Sequence, residues 1–100
     1  MTMLTIPLDN GTATVAETRF ETATALAGSW TVLIALARGT HRVHSAGWFV
    51  PRDEASDGAV ERERTYALLA LVDKLVAYRT IGDADGEAIV RACIGSSERG

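Results

Sequence analysis

Two histidines, one cysteine and thirteen carboxylates are the side chains from which this chain could build a metal site or a catalytic centre. The histidines are close together, in His41-Arg42-Val43-His44. On a strand, residues three apart point to opposite faces, so the two imidazoles cannot hold one ion there. Further ligands would have to come from Asp53, Glu54 or Cys93, whose spacing does not join them to the pair. The acidic run Asp83-Ala84-Asp85-Gly86-Glu87 resembles a calcium loop only superficially. Such a loop needs glycine at its sixth position and a bidentate Glu at its twelfth, where this chain has Gly86 fourth and Ile94 twelfth. The expectation is that the chain has no metal and no cofactor.

Nucleophilic chemistry fares no better. Ser45 in His44-Ser45-Ala46-Gly47 lacks the glycine two places before it that a nucleophile elbow requires, since Val43 stands there. Cys93 lies between Ala92 and Ile94, an apolar setting that favours the protonated thiol and a packing role. No convergent catalytic set emerges, and a non-enzymatic protein is expected.

The stretch 38–52 is the exception to this quiet picture. It carries Arg38, His41, Arg42, His44, Trp48, Phe49 and Arg52 and no acid. Basic side chains interleaved with aromatics on strands are what a phosphate or single-strand binder presents. Arg38, His41, Arg42, His44, Trp48 and Arg52 therefore form a candidate interaction surface. Against it stands the whole molecule: thirteen acids against ten bases give a formal charge of −3. With a pI near 5.3, the chain as a whole is not drawn to a phosphate backbone, so nucleic-acid binding is the second reading.

These residues must be positioned by a small set of elements. Leu8-Asp9-Asn10-Gly11-Thr12 reads as a hairpin turn with Gly11 in a left-handed position, after a first strand over 2–8 in which Pro7 signals an edge. Residues 14–26 support two periods. As a strand they place Glu17, Arg19 and Glu21 on one face and Ala16, Thr18 and Phe20 on the other; as a helix, Thr14 and Glu17 form a capping box and Gly28 ends it. The threonines and the preceding hairpin favour the strand. Residues 30–38 read as an apolar strand, Gly39-Thr40 as a type II′ turn, and 41–50 as its return, closed by Pro51.

A long helix is expected over about 59–79, with Asp57 as N-cap and no Gly or Pro inside. Leu68, Leu69, Leu71, Val72, Leu75, Val76 and Tyr78 spread over nearly half its circumference, more than one-sided packing needs. Either the C-terminal element around Ile89, Val90 and Ile94 covers the excess, or a second subunit does. The width of the arc favours a homodimer through Leu68, Leu69, Val72, Leu75 and Val76. Residues 87–94 can be a short helix or a strand, and 96–100 read as a flexible tail.

The fold expected over 1–95 is a single α+β domain: an antiparallel meander of about four strands with the long helix on one face and a short C-terminal element. A helix at 14–27 and a strand at 87–94 would instead give a ferredoxin-like βαββαβ order. One hundred residues suffice for one core, and a single cysteine excludes an internal disulfide and suits a reducing, cytoplasmic compartment. No apolar run approaches the ~20 residues of a membrane span, so no membrane partner is expected. Nine of the ten bases are arginine, a bias of GC-rich bacterial or phage genomes. The functional expectation is a small intracellular protein–protein interaction module of regulator or inhibitor type, such as a phage- or mobile-element antagonist of a host complex. The alternative is a nucleic-acid or phosphate-binding module built on 38–52. Neither chelator nor reductant should move the melting temperature. A drop of more than a few degrees with chelator would reveal a metal site.

Overall fold

The Thr-rich and apolar runs become four strands: β1 (Thr2–Leu8), β2 (Gly11–Glu21), β3 (Ala25–Leu36) and β4 (His41–Pro51). The computed structural model describes residues 2–37, 39 and 41–95. All three pairings are antiparallel and the order is β1-β2-β3-β4, a meander. Helix α1 (Asp57–Ala77) and helix α2 (Asp83–Val90), extended by a π-helical turn (Arg91–Gly95), cover one face. The architecture is α+β, with the strand reading of 14–26 and the helical reading of 87–94 observed; the ferredoxin-like alternative falls on both counts. The expected tail, 96–100, lies outside the described residues.

Local chemistry sets the boundaries. Ser56 caps α1 by accepting a hydrogen bond from the Ala59 amide at 3.1 Å, so the helix starts two residues before the expected 59 and Asp57 belongs to its first turn. At the other end Thr80 N–H donates to Leu75 O at 2.9 Å and Arg79 N–H to Val76 O at 3.0 Å, the paired closure of a Schellman motif. That motif puts Arg79 at φ +59°, the one non-glycine with positive φ among the described residues. Glycine would sit there with roughly 1 kcal/mol less strain.

Two turns differ from expectation. Gly11 does not take a left-handed conformation, and Asp9 and Asn10 alone link Leu8 to it. It is small because a Cβ there would meet the Ala35 carbonyl oxygen at 2.0 Å. In the β3–β4 turn Gly39 does adopt φ +85°, but its N–H donates to Leu36 O at 2.9 Å, making it the fourth residue of the turn and not the first central residue of a type II′ turn.

The core lies between the sheet and the helices. Ile6, Ala13, Val15, Trp30, Val32, Ile34, Trp48 and Val50 face Val60, Leu68, Leu71, Val72, Leu75 and Ile89. Helix α1 lies across β3 and β4, and α2 with its π turn reaches β1. Gly86 permits the close approach of α2 to α1, since a Cβ there would sit 3.0 Å from methyls of Val72 and Val76. The wide apolar arc of α1 is thus covered from two sides within one chain.

A charged pair lies inside this core. Arg64 is 2% exposed and Glu17 7%. The Arg64 Nη2 donates to Glu17 Oε1 at 2.7 Å while its Nε donates to Oε2, a two-pronged grip between α1 and β2. Arg64 Nη1 also donates to Glu61 at 2.7 Å, and Trp30 Nε1–H donates to the Arg64 carbonyl at 3.0 Å. The guanidinium stands 5.2 Å from the Trp30 ring centroid, within cation–π range. Its hydrogen bond to Glu17 holds the Arg64 pKa above the ordinary value, so it stays charged at any working pH.

Removing one partner leaves the other charge buried without its match. Glu17→Met or Arg64→Met should each cost about 3–5 kcal/mol in urea unfolding, while the double variant recovers most of the loss. Additive losses in the double variant would show that the two side chains act separately.

Candidate functional site

The expected surface on 38–52 disperses in the fold. Arg38 lies outside the described residues. Trp48 faces inward, 7% exposed, its indole packed where a Cβ on Gly28 would be 2.5 Å away, so it has no face for stacking on a base. The Trp48 indole N–H is buried and meets no acceptor among the described residues. Arg52 is engaged: its Nη2 donates to the Thr22 carbonyl at 2.6 Å and stands 3.4 Å from Glu21, fastening the β2–β3 turn to the end of β4. His41 points to the open side of the sheet, opposite Arg42 and His44.

Arg42 and His44 stay together and gain neighbours that sequence distance concealed. With Leu36 they meet Tyr78, Arg79 and Thr80 from the end of α1 around a cavity of about 260 Å³. Alternation places Arg42 and His44 on the helix side of β4, and the Schellman turn brings Arg79 to them. Neither arginine has an ion-pair partner among the described residues. Arg79 also borders a neighbouring cavity of about 430 Å³ lined by Asp9, Asp83 and Asp85.

The residues expected to mediate self-association through α1 are mostly interior. Leu68, Val72 and Leu75 are buried and Val76 is half-buried; Leu69 reaches solvent, 37% exposed. The helix face therefore has little apolar surface left to give a second subunit. Beside Leu69 runs a groove of about 730 Å³ between α1 and α2. It mixes Val72, Val76 and Val90 with Asp73, Asp83 and Glu87. Among the described residues, no group of three or more His, Cys, Asp or Glu stands close enough to hold a metal ion. No helix of the described residues is long and apolar enough to cross a membrane.

Among the described residues, no helix packs on the other face of the sheet. Its outward positions are Met3, Thr5 and Pro7 on β1, Thr12, Thr14, Ala16, Thr18 and Phe20 on β2, Ala27, Ser29, Thr31, Leu33 and Ala35 on β3, and His41, Val43, Ser45, Gly47 and Phe49 on β4. None of these is Asp, Glu, Lys or Arg. Met3, Phe20, Val43 and Phe49 are each more than half exposed. Phe20 and Phe49 flank Ala27 across three strands, and Thr31 and Ser45 hydroxyls lie 3.3 Å apart near the middle. Sequence reading lists Ala16, Thr18 and Phe20 as one face of β2 but offers nothing to show that this is the open one. The missed signal lies in α1, where Arg64 falls between Val60, Leu68, Leu71 and Leu75 on the apolar stripe and so demands an acid from the sheet.

Cys93 packs beneath this layer, 4% exposed. Burial, helped by the negative charge of Glu17 and opposed by Arg64, pushes its thiol up to about 11. A raised pKa means that the folded state keeps its proton where the unfolded chain has lost it. The resulting stabilisation is fully present below pH 9 and disappears as the pH rises to about 11. Cys93→Ala should therefore lose less stability than the natural chain between these two pH values, by roughly 2–3 kcal/mol, read as a shift in urea midpoint. Parallel pH curves for the two proteins would contradict the burial of the thiol.

Compared with known proteins, the chain matches no family model, no curated protein and no solved structure.

Proposed function

We propose that this chain is a small non-enzymatic protein–protein interaction module whose working surface is the open face of its sheet, and that the occupant of that face is a second copy. The single observation behind this reading is the uncharged face. A two-layer α+β domain leaves one sheet face in water, and such faces are ordinarily polar. Here the strands put their outward charges nowhere on it, while Met3, Phe20, Val43 and Phe49 stand exposed there. Large apolar side chains exposed on a face without charges support an interaction site there.

Charge and area both favour a second copy. Each molecule carries a formal −3, so two copies repel through most of their surfaces. Through the open faces no like charges meet, and a strongly charged partner would find nothing to pair with. Strands of 7, 11, 12 and 11 residues present a face of roughly 600 Å² in projection at standard strand spacings. That approaches the ~800 Å² per partner of an ordinary stable interface. Two such faces stack about 10 Å apart with their strands within about 30° of alignment, around a two-fold axis.

Light scattering at high micromolar concentration should give about twice 10.7 kDa for the natural chain. Val43→Glu with Phe49→Glu should return the mass to 10.7 kDa and keep the melting temperature within a few degrees, since both side chains are exposed in the single chain. A natural chain at the monomer mass would refute the second copy as occupant.

A further inference from the structure

We infer that the cavity between β4 and the end of α1 is a binding site for a phosphate group, held by Arg42 and Arg79 with His44, Tyr78 and Thr80 as further donors. The five residues come from β4 and from the turn that closes α1, and they line one cavity of about 260 Å³ together with Leu36. Its size is below the ~300–1,000 Å³ of sites for drug-sized ligands and suits a small anion or the phosphate end of a larger molecule. Among the described residues no carboxylate lines it, in a chain where acids outnumber bases.

Neither arginine has an ion-pair partner among the described residues, which is also true of Arg62 and Arg91; Arg42 and Arg79 differ in lining one cavity together. Arg52, Arg19 and Arg64 each stand within 4.0 Å of a carboxylate, and Arg42 and Arg79 do not among the described residues. Arg79 borders Asp9, Asp83 and Asp85 through the adjoining cavity without pairing with any of them. Its backbone is also a sign. At φ +59° glycine is the easier residue, yet an arginine stands there and lines the cavity.

The donor inventory selects the anion. Two guanidinium forks, an imidazole, a phenol and a hydroxyl offer more hydrogen bonds than the two oxygens of a carboxylate can accept, whereas a phosphate presents three or four oxygens. The carbonyls at the end of α1 would repel an anion if they faced it. Lys74 O, Leu75 O and Val76 O are already occupied by the amides of Tyr78, Thr80 and Arg79 at 2.9–3.0 Å. Tyr78, 70% exposed, lines the cavity and offers an aromatic ring to an organic group carried by the phosphate. The cavity opens on the helix side of the sheet, so this site does not depend on what covers the open face.

The test is an NMR titration of the whole chain with inorganic phosphate and, separately, with phenyl phosphate, at constant ionic strength set by chloride. Saturable shifts at the amides of Arg42, His44, Tyr78 and Thr80 are expected, with inorganic phosphate binding at about 1–10 mM. Tighter binding of phenyl phosphate would identify an organic phosphate as the ligand; equal affinities would identify the free ion. Arg42→Gln and Arg79→Gly should each weaken binding roughly ten-fold, the loss of one charge-assisted contact. Arg79→Gly should melt no lower than the natural chain because glycine suits its backbone, so its loss of binding cannot be ascribed to unfolding. Absence of saturable shifts by about 20 mM phosphate, or unchanged affinity in both variants, would overturn the site. Stronger, steeply salt-dependent binding of a single-stranded oligonucleotide that Arg42→Gln abolishes would overturn the small-phosphate assignment in favour of nucleic acid.

Discussion

The grip of Arg64 on Glu17 is the constraint around which the two layers are assembled. An ion taken out of water loses several kcal/mol of solvation, and only a well-placed counter-ion with further hydrogen bonds offsets it. Here the guanidinium meets Glu17 with two nitrogens, Glu61 with a third, and the face of Trp30 with its plane. Rotating α1 by one residue, or slipping β2 by one, would bury one charge without the other. The penalty of about 3–5 kcal/mol is comparable with the whole stability of a small domain. Hydrophobic burial favours any arrangement that hides Leu68, Leu71 and Leu75. The ion pair selects one among them.

That selection reaches the far side of the sheet. With Glu17 turned inward, alternation sends Thr12, Thr14, Ala16, Thr18 and Phe20 outward, and cross-strand registration carries the same phase into β1, β3 and β4. Arg19 and Glu21 follow Glu17 to the inner side, where β2 runs past the helix layer and they remain exposed. All three charged residues of β2 thus lie on the packed side with Ala13 and Val15, and the wet side of the strand carries only threonines, Ala16 and Phe20. An uncharged open face and a charged core position are two results of one phase choice.

Much of the fold is legible in the residues because it rests on local rules. The hairpin at Leu8–Gly11, the β3–β4 hairpin and the long uninterrupted helix follow from turn chemistry and from the absence of breakers. Turn types are less legible: Gly11 looks like a left-handed turn residue, yet its smallness serves contact with Ala35, a strand distant in sequence. The phase of β2 is illegible for the same reason, since it depends on Arg64 across the core. Arg42 and His44 could be suspected from composition, but Arg79 joins them only through the geometry of the α1 terminus. Trp48 and Arg52, equally suspect by composition, are absorbed by the core and by a turn.

The way α1 is covered decides where unused apolar surface remains. A helix with so wide an apolar arc needs a second neighbour, and α2 supplies it: Ile89 is fully buried, Gly86 admits the close approach, and Ile81 closes the end. Had residues 87–94 formed a fifth strand, Val72 and Val76 would face water and the helix would be the adhesive surface. With α2 in place, the exposed large apolar side chains Met3, Phe20, Val43 and Phe49 lie on the sheet instead. A face holding Phe20, Val43 and Phe49 in water is not held there by any need of the single chain, because none of these side chains contributes to its core. Its composition constrains what can lie against it: an uncharged, shallow, Thr- and Ala-lined surface gains most from another of the same kind, where desolvation removes no charge from water on either side.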